Sequence, residues 1–223
     1  MIAAYSMRIP RVEEDPILVC VYIALIHHPV MDRTGRVVTS SVTSLDLHDL
    51  ARAARTYGVA GTFMVHPSAA QRRFIASVSD HFVNGPGRSL HPERGDTLEQ
   101  QIQVVTEIDS AINAIKAKDG KKPFLVGTSA REGRGFLGFE EMGSRLRASA
   151  QPGLILFGTS WGLAPDIMDR LDFRLAPIRG VEDSGYNHLS VRAAVAVVLD
   201  RLFGLREPLA PKVVSSLEEG AVP

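Results

Sequence analysis

Three short segments carry residue types that could hold a nucleotide-like ligand. They are Gly127-Thr128-Ser129-Ala130-Arg131, Phe157-Gly158-Thr159-Ser160-Trp161-Gly162-Leu163 and Ala176-Pro177-Ile178-Arg179-Gly180. The third leads through Asp183–Tyr186 to Asn187, His188, Leu189 and Ser190. The first two follow apolar, β-rich runs directly. In open α/β sheets, ligands bind outside the carboxyl ends of the strands. Glycine lets a ligand come close to the backbone there, and free N–H groups bind acceptor atoms of a nucleoside or a carboxylate. One such loop is more often only a turn. Three in order, followed by a long apolar helix, are more specific.

A second set of residues sits on one helical segment. Asp46 and Arg52 are six apart, and Arg55 lies three beyond Arg52, so the two arginines can face the same side. Guanidinium pairs suit phosphate, because each group donates in a planar fork. Asp46 also reads as a charge that favours a helix N-terminus. Lys116, Lys118, Lys121 and Lys122 form a small basic cluster that reads as a solvated helix end. His27 and His28 follow a strand end, but adjacent side chains point different ways and make no metal site. The single cysteine, Cys20, rules out an internal disulfide and any zinc spacing, so no metal is expected. No G-x-G-x-x-G follows a strand and no G-x-x-x-x-G-K-[ST] occurs, which disfavours dinucleotides and nucleoside triphosphates.

The elements that would position these residues alternate. Residues 1–15 form a leader of mixed Pro and charge. Continuous apolar runs at Ile17–Ile26, Gly61–His66, Pro123–Val126 and Gly153–Phe157 read as strands covered on both faces, with a shorter one at Ile102–Val105. Helical spacing predicts a helix capped by Thr43 or Ser44 and closed at Gly58. Further helices are predicted over Ser68–Val83, from Ile108 to Lys118, over Phe139–Leu146 and over Asn187–Phe203. Met31–Val38 is a loop or short hairpin, and Asn84–Arg88 and His91–Thr97 are irregular. The expected fold is α/β, a mostly parallel sheet with helices on both faces. It occupies residues 16–205, with a C-terminal tail at 206–223.

Lys and Arg number 25 against 25 Asp and Glu, so any nucleic-acid footprint must come from clustering rather than excess. The apolar run Pro16–Ile26 is too short to span a bilayer, and acidic residues precede it. A cytoplasmic protein with no membrane association is expected.

Residues 46–65, DLHDLARAARTYGVAGTFMV, resemble the first motif of SpoU-type RNA methyltransferases. Residues 154–163, LILFGTSWGL, resemble the second, and residues 176–199 the third. Together, and with GTSAR between the first two, they resemble a bacterial family in the SPOUT (α/β-knot) superfamily. Its relatives can occur joined to tRNA guanine-N1 methyltransferases. The resemblance implies a C-terminal trefoil knot, a homodimer, S-adenosylmethionine as cofactor and a tRNA or rRNA substrate. It assigns cofactor binding to Gly127, Thr128 and Ser129; to Phe157, Gly158, Thr159, Trp161 and Gly162; and to Ile178, Gly180, Asn187, His188 and Leu189. It assigns catalysis to Arg52, Asn187 and Ser190, and RNA contact to Arg52, Arg55 and Arg131. Arginine is an unusual base, so Arg52 is assigned first to phosphate or developing charge and second to proton transfer.

Two positions depart from the SpoU pattern. Asp46 stands where that family usually has Asn, and Thr159-Ser160-Trp161 stands where it usually has a Glu after the glycine. The absent Glu keeps a second expectation open, a knot-fold protein that binds RNA or cofactor without catalysis.

Overall fold

A computed structural model describes residues 20–181 and 186–205. The expected leader and tail, the start of the first strand and residues 182–185 lie outside the described residues. Nine strands alternate with eight helices among those described. The strands are β1 (Val21–Ile26), β2 (Val30–Met31), β3 (Val37–Val38), β4 (Gly61–Val65), β5 (Ile102–Val105), β6 (Phe124–Gly127), β7 (Phe136–Leu137), β8 (Gly153–Gly158) and β9 (Phe173–Leu175). The helices are α1 (Ser44–Thr56), α2 (Ala69–Val83), α3 (Gly87–Leu90), α4 (Pro92–Gln101), α5 (Ile108–Asp119), α6 (Phe139–Ala148), α7 (Pro165–Met168) and α8 (Val191–Phe203).

Seven strands form one sheet in the order β5-β4-β1-β8-β6-β9-β7, and every pairing in it is parallel. β2 and β3 form a separate antiparallel hairpin after β1. β1 shows why its run is continuously apolar. Val21, Ile23 and Leu25 enter one core with α1, α2, α4, α6 and α8, whereas Tyr22, Ala24 and Ile26 enter the other with α5 and α7. A strand buried on both faces has no solvent side to mark with polar residues.

Parallel pairing puts all carboxyl ends of the strands on one edge, and the three glycine-bearing loops leave the sheet from that edge.

Some elements differ from the sequence expectation. The segment His91–Thr97 is mostly helical, inside α4. Its polar sequence, PERGDTLEQQ, has no apolar period, but Pro92 is at the first turn and Gly95, Thr97 and Leu98 are buried. Tertiary packing against α1 and α2 therefore overrides composition. The breaker Asn84–Arg88 gives way to α3, one turn long. The last helix starts at Val191, not Asn187, because Ser190 Oγ accepts from Ala193 N and caps it. β7, β9 and α7 are two to four residues long, too short for periodicity to reveal.

Candidate active site

Asn187 ties the first and third loops together. Its Oδ1 accepts from Gly180 N (2.9 Å), and its Nδ2 donates to Ala130 O (3.4 Å). An ion pair between Arg179 and Glu132 (3.0 Å) closes the same gap at the surface. In the first loop, Thr128 turns its backbone N–H and its hydroxyl back to Leu156 O (3.2 and 2.9 Å). Ser129 Oγ accepts from Arg131 N (3.0 Å), and the Arg131 side chain is exposed. Leu171 packs against Gly127, and its side chain would have to move to admit a Cβ there. In the third loop, Ile178 packs against the core, and His188 and Leu189 are exposed. The Ser190 hydroxyl is engaged as the α8 cap.

The second loop is a tight turn stitched to β2. Gly162 N donates to Thr159 O (3.0 Å), Trp161 N to Met31 O (3.0 Å), and Met31 N to Gly162 O (2.9 Å). Two left-handed residues make the turn, Ser160 at φ 55° and Gly162 at φ 104°. A Cβ on Gly158 would lie 2.6 Å from Leu163 N, so only glycine fits beneath the turn. Phe157 is buried in the core, whereas the Trp161 side chain is 55% exposed. Trp161 is thus not a core tryptophan. It stands as an apolar wall beside the loop. Ser160 was not singled out from the sequence, yet it has the strained φ and its N–H meets no acceptor among the described residues.

Beneath this loop lies a polar cluster on the ends of three strands. Ser40 is its hub. Its N–H donates to His27 O (2.9 Å), its carbonyl accepts from His66 Nε2 (3.0 Å), and its Oγ lies 3.0 Å from His27 Nδ1 and 2.5 Å from Thr159 Oγ1. Burial pushes the His27 imidazole down to about 4; the neighbouring His66 acts the same way, against the charge of Asp46. Burial also lowers the His66 pKa, and Ser68 N donates to its Nδ1 (3.0 Å). Both rings are neutral near pH 7. The adjacent histidines do point apart. His27 is buried, and His28 turns to the hairpin, where Thr39 Oγ1 is 2.9 Å away.

On α1, Asp46 completes a capping box with Thr43. Thr43 N donates to Asp46 Oδ2 (2.8 Å), and Asp46 N donates to Thr43 Oγ1 (3.4 Å). The sequence left the cap between Thr43 and Ser44, and this geometry selects Thr43. The other carboxylate oxygen accepts from Arg192 Nη1 on α8 (3.2 Å), and Arg192 Nε reaches Asp49 (3.1 Å). Arg192 was not read from the sequence, where it looks like one more charge on an apolar helix. Its signal is the register of α8, which sets it against the α1 N-terminus.

The structure separates the two arginines of the first motif. Arg55 donates through Nη1 to Thr97 Oγ1 on α4 (2.6 Å). Arg52 is exposed and makes no hydrogen bond or ion pair among the described residues. Among the described residues, neither guanidinium makes a hydrogen bond or ion pair to the three loops. Asn187 brings the first and third loops together, and Arg192 ties Asp46 to the helix that follows the third loop, while Arg52 stays apart. Among the described residues, no group of three or more His, Cys, Asp or Glu could hold a metal ion, and no helix is long and apolar enough to cross a membrane.

The profile of a family described as SAM-dependent RNA methyltransferase matches residues 20–204. The chain is 42% identical over 183 residues to a tRNA (guanine-N(1)-)-methyltransferase of Oleidesulfovibrio alaskensis, covering 82% of this chain and 42% of that protein. It is 39% identical to an uncharacterized protein of Aquifex aeolicus, covering 82% of this chain and 88% of that one. This chain therefore spans less than half of the first relative and most of the second. The SpoU methyltransferase AviRb of Streptomyces viridochromogenes, solved with AdoMet, superposes with a TM-score of 0.51 at 17% identity, over 87% of this chain and 62% of that one. At that identity the likeness is one of fold.

Proposed function

Because the chain belongs to the SAM-dependent RNA methyltransferase family, we propose that it transfers a methyl group from S-adenosylmethionine to a nucleotide of tRNA or rRNA. The observation that carries this reading is the bridge made by Asn187 from Gly180 to Ala130. It brings the first and third loops together at the carboxyl edge where the second also emerges.

The loops suit a bent nucleoside. Gly158 lets the turn close directly on the strand end, Ser160 has an N–H with no acceptor among the described residues, and Trp161 presents an apolar face. Backbone donors and acceptors of this kind read an adenine without an acidic ribose ligand. The bound sulfonium supplies an electrophilic methyl group. The chain's own task is to hold the acceptor nitrogen or oxygen in line with it, and positioning alone can lower the barrier by several kcal/mol. Thr159 does not supply the missing carboxylate, since its hydroxyl is engaged inside the protein. Arg52 and Arg131, both exposed, would contact RNA phosphate.

A two-fold dimer fits this picture. Trp161, Tyr186 and Leu189 are more than half exposed at the loop edge, where a second copy would cover them, and Arg52 could then approach the partner's loops. A trefoil knot is supported by β9, which lies between the earlier strands β6 and β7, and by the return of Asn187 against Ala130. A cytoplasmic location follows from an RNA substrate.

Calorimetric titration with S-adenosylmethionine and its demethylated product tests the cofactor. No heat and no thermal shift at millimolar ligand would reject the reading. Mass spectrometry of nucleosides from RNA of a deletion strain, with methylation restored by the purified protein, tests the reaction. Binding without any restored modification would instead favour the non-catalytic reading.

A further inference from the structure

The cluster around Ser40 has a direction that follows from counting protons. Thr159 has one hydroxyl proton and gives it to Ile26 O at 3.0 Å. The short contact between Ser40 and Thr159 (2.5 Å) therefore uses the serine proton, with Thr159 accepting. Ser40 Oγ, having donated, accepts from His27 Nδ1–H (3.0 Å). The chain runs from His27 to Ser40 to Thr159 to Ile26, and each hydroxyl both gives and receives. His66 is fixed as the other tautomer, since its Nδ1 accepts from Ser68 N and its Nε2–H donates to Ser40 O. His27 Nε2 is left buried with no partner among the described residues. That arrangement holds only if the ring's proton stays on Nδ1.

The chain ends inside the second loop. Thr159 opens the turn whose next residue, Ser160, has a left-handed φ of 55°. A serine in that region costs roughly 1–2 kcal/mol, so the turn must be held from outside. Met31 holds its far side, its carbonyl accepting from Trp161 N and its N–H donating to Gly162 O. On its near side, Thr159 N and Oγ1 both reach Ile26 O, and among the described residues Ser40 Oγ is the one side-chain group from another segment that hydrogen-bonds to it.

Resting on the function proposed above, we infer that His27, Ser40 and Thr159 are positioning residues that hold the Thr159–Gly162 turn in the shape that receives the cofactor. Thr159 then acts through its backbone and not by a hydroxyl contact to the ligand. Ser40 joins the β2–β3 hairpin to the ends of β1, β4 and β8, so a change at any of these ends reaches the turn.

The test uses the full chain, three single variants and the Ser40→Ala/Thr159→Val double variant. Thr159→Val keeps the branched shape and removes the hydroxyl, Thr159→Ser restores it, and Ser40→Ala removes the hub. Hydrogen exchange of the ligand-free proteins is read at residues 159–163, alongside the melting temperature and calorimetric affinity for S-adenosylmethionine. Thr159→Val and Ser40→Ala should each speed exchange in this turn about tenfold and weaken the cofactor by a similar factor, the net effect of losing one hydroxyl and the two hydrogen bonds it makes in the chain. Thr159→Ser should return both to within about twofold. The double variant should be no worse than either single one, because both cut the same chain. Exchange at 159–163 that is unchanged in Thr159→Val, or accelerated equally across the whole molecule, overturns the inference. Failure of the unaltered chain to bind cofactor, with the exchange pattern as expected, overturns instead the function proposed above.

Discussion

Arg192 Nη1 lies 3.2 Å from Asp46 Oδ1, and through this pair the helix that follows the third loop is fixed to the N-terminus of α1. Asp46 is 4% exposed, and its second oxygen is held by Thr43. The residue that departs from the SpoU pattern as Asp in place of Asn thus has a charged partner in this chain. An asparagine would keep the cap but lose the ion pair.

Arg192→Ala should therefore destabilise the protein by about 1–3 kcal/mol, because it leaves a buried carboxylate without its cation. Arg192→Lys should recover less than half of that loss. One ammonium cannot reproduce the two N–H groups that reach Asp46 and Asp49 separately. Urea denaturation reads both. A loss under ~0.5 kcal/mol in the alanine variant would mean that the pair is a surface contact only.

Arg52 and Arg55 should behave differently. Arg52→Ala removes no contact within the described chain, so stability should stay within ~0.5 kcal/mol while methyl transfer falls strongly and cofactor binding survives. Arg55→Ala gives up the bond to Thr97 and should cost about 1 kcal/mol. It should also weaken RNA binding and lower its salt dependence. Full activity of Arg52→Ala on its natural RNA would remove that residue from the site.

Acid should destabilise the fold through His27. Its folded pKa, about 4, lies below the unfolded value of 6.5, so the unfolded chain binds the proton more readily. The contribution is fully present above pH 6.5 and is lost as pH falls towards 4. At most it amounts to about 3 kcal/mol. His66 and His48, both lowered chiefly by burial, act in the same direction. Replacing His27 with Gln should flatten the stability curve between pH 4 and 6.5, measured by urea titration at each pH. An unchanged slope would place the transition on other groups.

Gly158→Ala should be worse than Gly135→Ala, although Gly135 has φ 75° and Gly158 has no positive φ. At Gly135 the added methyl meets nothing within 4 Å, and the cost is backbone strain of about 1 kcal/mol. At Gly158 it meets Leu163 N at 2.6 Å and the Gly162 carbonyl carbon at 2.8 Å, which are backbone atoms that no rotamer can move. We expect a loss of ~2 kcal/mol or more there, together with weaker cofactor binding. Thermal melts order the two variants. The reverse order would show that the second loop yields easily.

The central strands and their parallel arrangement were legible because two-sided burial leaves an unbroken apolar run, as at Val21–Ile26 and Gly153–Phe157. The three loops were legible because glycine marks them. α4 was not, since its buried face consists of Gly95, Thr97 and Leu98 and carries no apolar period. The polar support of the site was hidden for a different reason. Thr159 lies 119 positions from Ser40, and Arg192 pairs with residues nearly 150 positions away. Single residues of common types carry no local mark of such partners. The separation of Arg52 from Arg55 was equally invisible, because spacing gives their angle on α1 but not what stands opposite.

The sheet order has a consequence for how the chain is made. β1 is central, with β4 on one side and β8 on the other. Val21 pairs with Gly153, so one whole edge of the first strand waits for a partner synthesised after most of the domain. Early during translation β1, β4 and β5 can form a small sheet whose open side is an apolar strand edge, the kind of surface that invites pairing with other chains. Closing so long a loop also slows folding. The nascent protein therefore passes through a stage in which its most buried strand is half uncovered, and factors that shield nascent chains should matter most before residue 158 emerges.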